Sequence, residues 1–192
     1  APAAFFHTVE GEHAPRKISW AFQEKECRWV GLPTLSPVNS WILLGRIMRT
    51  FEVLHRHGVA YRDISNANLF FDGANDPTPF IIDCDSAHVL SGPPGLSGEP
   101  ITMGYECPLP LRGIDLDLWK LGMLCDRVGL YFTGVITATT TRLRITGGRP
   151  ASPDYVSAHR ALMTGTMPLP SAADLAGICN DMVDGLRQRG YP

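Results

Sequence analysis

The sequence predicts an α+β domain, mostly helical, in which one small β hairpin carries the chemistry. Three observations predict it. Trp41, Leu44, Ile47, Met48, Phe51 and Leu54 recur at helical spacing and form a single apolar stripe. Two short apolar runs, Leu69-Phe70-Phe71 and Phe80-Ile81-Ile82, flank a turn and read as paired strands. Beyond residue 115, three further stretches return to helical periodicity.

Bulk properties narrow the function. The 192 residues suffice for one ordinary domain with a real core, and 44% apolar content with near-zero mean hydropathy suits a globule. A net charge of -2 without any block of Lys or Arg argues against a nucleic-acid surface. No run of about 18 uninterrupted apolar residues exists, so no membrane span is expected. The start, Ala1-Pro2-Ala3-Ala4-Phe5-Phe6, lacks the form of a signal peptide, and a cytoplasmic chain is expected. It also lacks an initiator Met, so a fragment or processed product is expected. Cys27, Cys84, Cys107, Cys125 and Cys179 are scattered without metal spacing and read as small apolar fillers in a reducing compartment. Cys84 stands apart because it lies between two carboxylates. The six His residues show no metal spacing, and no G-x-S-x-G elbow anchors a hydrolase triad.

In chain order, Lys17 to Phe22 alternates weakly as a strand would, and Gly31 to Pro37 is a turn-rich connector. A helix is expected over 39–56, capped by Asn39 or Ser40 and stopped by Gly58. The polar segment Tyr61-Arg62-Asp63-Ile64-Ser65-Asn66-Ala67-Asn68 follows, then the two strands, the second delivering Asp83. Ser91 to Pro100 is too rich in Gly and Pro for regular structure. Leu116, Trp119, Leu121, Met123, Leu124, Val128 and Leu130 make the next helix apolar nearly all round, as a buried helix is. Thr137 to Gly148 reads as a loop. Helices are expected from Ser152 to about Met163 and from Ser171 to about Arg189, the latter with capping-box spacing to Asp174.

These motifs, in this order, resemble a protein kinase. Tyr61 to Asn68 is similar to the catalytic loop H-R-D-x-x-x-x-N, and Asp83-Cys84-Asp85 stands where Asp-Phe-Gly stands. Ile101 to Pro108 resembles G-T-x-G-Y-x-A-P-E through Thr102, Gly104, Tyr105 and Pro108. Asp117-Leu118-Trp119-Lys120-Leu121-Gly122 resembles the D-x-W-x-L-G opening of the central helix. The likeness is to divergent bacterial serine/threonine kinases whose metal loop reads Ile-Asp-x-Asp-Ser, and its specific motifs fall within residues 39–122. It implies a remnant of the small lobe or hinge over 1–38 and a kinase-like large lobe over 39–192. It implies ATP and Mg2+ as cofactors and a protein Ser/Thr side chain as substrate. Asp63 would handle the hydroxyl proton. Asn68 and Asp83 would hold magnesium, a hard cation that takes oxygen ligands. Thr102 would bond the catalytic Asp, Tyr61 would brace the loop in place of His, and Asp117 would bond backbone near it. Arg62 would pair with a phosphate on the activation segment, where Ser91, Ser97 and Thr102 are the hydroxyls.

Departures from the pattern are equally plain. No G-x-G-x-x-G or V-A-I-K precedes Asp63, and the only lysines there, Lys17 and Lys25, lack the surroundings of the ATP lysine. Ser65 occupies the catalytic-loop position usually held by Lys, Asp85 that of Gly, and Leu109 that of the final Glu. Two alternatives therefore stand beside an active protein kinase: a pseudokinase or binding module, and a small-molecule kinase of the aminoglycoside or choline type.

Overall fold

The computed structural model describes residues 15–21, 35–73, 75–92, 105–133 and 153–191. Helix α1 spans Pro37–Arg56. The Ser36 hydroxyl accepts the Asn39 amide at 3.1 Å, and Pro37 enters the first turn, where no backbone N–H is needed. The cap is thus Ser36, rather than the expected Asn39 or Ser40. Ser40 is buried and donates its hydroxyl to the Ser36 carbonyl at 3.1 Å. Gly58, at φ +67°, turns the chain out of the helix.

Two small antiparallel sheets follow. Strand β1 is Arg16–Lys17, β2 Val59–Ala60, β3 Leu69–Asp72, β4 Thr78–Ile81 and β5 His88–Val89. β3 lies between β1 and β4, and β2 pairs with β5. The β3–β4 register runs from Leu69↔Ile81 to Asp72↔Thr78. The strand expected over 17–22 is only Arg16–Lys17, because Ile18 turns inward with no exposure and opens a 3-10 turn, Ile18–Ala21. Buried Arg16 sets its guanidinium over the Phe71 ring, 5.8 Å from the centroid. Arg46 of α1 fastens the hairpin turn by donating to the Pro77 carbonyl (2.9 Å) and to Asp76 (2.6 Å).

Helix α2 spans Gly113–Thr133, α3 Pro153–Thr164 and α4 Ala172–Gln188. Residues 116–122 of α2 are buried without a break, so this helix passes through the interior. Gly122 allows the crossing with α3, since a Cβ there would lie 2.7 Å from Leu162 Cδ1. The Ser171–Asp174 capping box starts α4. Helices α1 and α4 pack closely, and a Cβ on Gly45 would be 3.3 Å from that of Cys179. Their buried faces join Tyr61, Ile64, Leu69 and Phe71 in one core. The connectors expected at 31–34, 93–104 and 137–148, Thr102 included, lie outside the described residues.

Candidate functional site

Arg62 holds φ +73°, a left-handed conformation that costs a non-glycine residue about 1–2 kcal/mol. Helix α2 holds it there. Asp117, wholly buried, accepts the Tyr61 amide on Oδ2 and the Arg62 amide on Oδ1, both at 2.7 Å. One turn along, Lys120 donates from Nζ to the Arg62 carbonyl at 2.7 Å and is itself only 1% exposed. The i,i+3 spacing puts both side chains on the face of α2 that meets the loop. His55 Nε2 lies 3.2 Å from Asp117 Oδ2 and ties in the end of α1. The Arg62 side chain is buried as well.

The left-handed step turns the chain so that Asp63 follows half-buried. Its amide donates to the Tyr61 carbonyl at 2.9 Å. Ser65, fully buried, closes the next turn, its hydroxyl accepting the Ala67 amide at 3.2 Å and its carbonyl the Asn68 amide at 3.2 Å. That turn returns Asn68 to Asp63. Asn68 Nδ2 donates to the Asp63 carbonyl (3.0 Å) and to carboxylate Oδ2 (2.8 Å). With both amide hydrogens spent on Asp63, the side-chain oxygen of Asn68 is its remaining ligand atom.

The hairpin brings the third residue. Ile82 donates its amide to the Asn68 carbonyl at 3.0 Å, and its own carbonyl accepts the Tyr61 hydroxyl. With the peptide groups on both sides of Ile82 held, Asp83 follows just beyond β4, one residue past the bond to Asn68. Asp83 is exposed at φ +58° and leads into the 3-10 turn Cys84–Ser86, where Cys84 and Asp85 are exposed too. Burial, and then the negative charge of Cys84, Asp63, Asp83 and Asp117, pushes the Tyr61 phenol well above its usual pKa of 10. The phenol therefore keeps the proton it gives to Ile82. Across the site, Tyr105 donates to Asn66 Oδ1 at 2.5 Å and joins the 105–110 segment to the loop.

Asp63, Asn68, Asp83, Tyr61, Arg62, Ser65 and Asp117 therefore gather around one loop. Leu109 packs on Gly165, whose Cβ would lie 2.8 Å from Leu109 Cδ1, an apolar contact where the motif has an ionic one. The sequence reading gave Lys120 no role. Its signal was a charge between Trp119 and Leu121 in a largely apolar helix, a position where an unpaired Lys is hardly ever found. Two hard oxygen donors, Asn68 and Asp83, suit Mg2+, which takes few ligands from protein and the rest from water and phosphate. Among the described residues no group of three His, Cys, Asp or Glu side chains forms a metal cage. Among them, too, no helix is long and apolar enough to cross a membrane.

No protein-family model matches the chain. An alignment 84 positions long, covering 41% of the chain, is 32% identical to a Plasmodium falciparum (isolate K1 / Thailand) protein described as probable serine/threonine-protein kinase 2. The match spans 16% of that protein's length. Over this part, the chain has a kinase-like relationship.

Proposed function

From that partial relationship and the site geometry, we propose that the chain is the large lobe of an ATP-dependent phosphotransferase of the serine/threonine protein kinase type. The observation that carries it is the tether Asn68–Ile82–Tyr61, which sets Asp83 beside the bonded pair Asp63–Asn68. Asp63 orients the Ser or Thr hydroxyl of a protein substrate and accepts its proton as the oxygen bonds the γ-phosphorus of ATP and the bond from that phosphorus to the ADP oxygen breaks. Asn68 and Asp83 would hold Mg2+ through their side-chain oxygens. When bound, that metal offsets the charge of the phosphates. Asp117 and Tyr61 keep the loop in register, and Thr102, outside the described residues, is the motif position that would bond Asp63.

One observation favours a second reading. Ser65 is enclosed in its turn and brings no positive charge to the transferring phosphate, which fits a pseudokinase that binds nucleotide but transfers slowly.

A thermal-shift titration with Mg·ATP, followed by phosphate transfer to a Ser/Thr peptide library, tests both. The kinase reading expects a magnesium-dependent rise in Tm that Asp83→Asn abolishes, and transfer that Asp63→Asn lowers by about 10²–10⁴-fold. A rise without transfer selects the pseudokinase. Transfer to an aminoglycoside but not to peptide selects the small-molecule kinase. A cooperatively melting chain that shows no shift refutes the nucleotide site.

A further inference from the structure

Lys120 is a long cation enclosed in the protein interior, and such a group is retained only when it has a polar partner. Its Nζ meets the carbonyl of Arg62, the oxygen of the peptide bond that leads into Asp63. The other end of Arg62, its amide, is held by Asp117 from the same helix. Residues three apart on α2 thus grip Arg62 at both ends, and Arg62 is the residue in the left-handed conformation. Asp117 fixes the Arg62 amide and the Tyr61 carbonyl accepts the Asp63 amide at 2.9 Å; Lys120 adds a hold on the carbonyl of the Arg62–Asp63 peptide, whose rotation would swing the Asp63 carboxylate. An ammonium–carbonyl bond in the dry interior is charge-assisted and resists that rotation.

We propose that Lys120 is a positioning residue of the site: it fixes the peptide plane before Asp63 and so sets the direction of the Asp63 carboxylate. The activity part of this inference rests on the phosphotransfer reading. Its structural part does not. An ammonium anchoring a carbonyl should govern alignment at the chemical step more than nucleotide affinity, since Asp83 and the Asn68 backbone are fastened through Ile82 and the Asn68 side chain alone is shared with Asp63.

The test compares the parent with Lys120→Met, which keeps length and apolar bulk but has no donor, and Lys120→Gln, which restores a neutral donor. For Lys120→Met we expect kcat to fall about tenfold or more, with KM for ATP within about twofold and the Mg·ATP thermal shift intact. Lys120→Gln should recover part of kcat. Amide exchange should quicken at Arg62 and Asp63 while Leu175 and Ile178 on α4 keep their protection. An unchanged kcat in folded Lys120→Met overturns the proposal. So does a parallel loss of kcat, nucleotide binding and α4 protection, which would make Lys120 only a core filler. If Lys120→Met does not fold, Lys120→Gln takes the same measurements under the same criteria. If the parent transfers no phosphate to any acceptor, the phosphotransfer reading fails, and the exchange comparison alone decides whether Lys120 anchors the loop.

Discussion

Tyr61 works through both of its ends. Its amide is bound to α2, its hydroxyl to the residue before Asp83, and its ring packs edge-on to Phe51, with centroids 5.8 Å apart. Tyr61→Phe keeps the ring contact and leaves the Ile82 carbonyl without its donor, so a loss of about 1–2 kcal/mol is expected from urea unfolding. A variant as stable as the parent would contradict the tether. The phenol predicts a pH effect as well. Above the ordinary tyrosine pKa of 10 the unfolded chain releases this proton while the folded chain retains it. The stabilisation is therefore complete below pH 10 and is lost as pH rises further. The Tm gap between parent and Tyr61→Phe should narrow in that range, and a constant gap would count against a buried, protonated phenol. The Arg-Asp pair and its Asn were legible because they share one turn of chain. The left-handed Arg62 and the Lys120 contact were not, since the bond that joins them spans 58 positions and nothing local encodes it.

At the scale of the element, periodicity was a good guide to all four described helices: α1 and α4 each bury one long apolar face, and α2 is buried from 116 to 122. Boundaries shifted where short polar residues competed. Ser36 outdid Asn39 as a cap because Pro37 behind it already had the helical φ. The strand at 17–22 was over-read because alternation in so short a segment does not separate a strand from an inward turn. Packing between elements carries its own prediction. Gly122→Ala puts a methyl within 2.7 Å of Leu162 Cδ1, so α2 and α3 must separate or Leu162 must change rotamer. Overpacking of this kind costs about 1–3 kcal/mol, readable as a lower urea midpoint with unchanged slope. Unchanged stability would show that the crossing is looser than its geometry.

For the molecule as a whole, Asp117 is where the interior meets the candidate site. It joins α1 through His55, the loop through two amides, and sits on the same helix as Lys120. Asp117→Ala strands two amides, so a loss of about 3 kcal/mol is expected. Differential scanning calorimetry of the variant would decide it; a Tm equal to the parent's would mean that water reaches these amides. The family resemblance was legible from spacing alone, but how the helices close around the loop was not, because α1 meets α4 across well over a hundred residues of chain.

That pairing has a consequence for the chain as it is made. Gly45 waits for Cys179, so the apolar face of α1 emerges from the ribosome long before the helix that covers it. At roughly 5–20 residues per second, the nascent chain carries an uncovered hydrophobic groove for about ten seconds, long enough for a chaperone to find it.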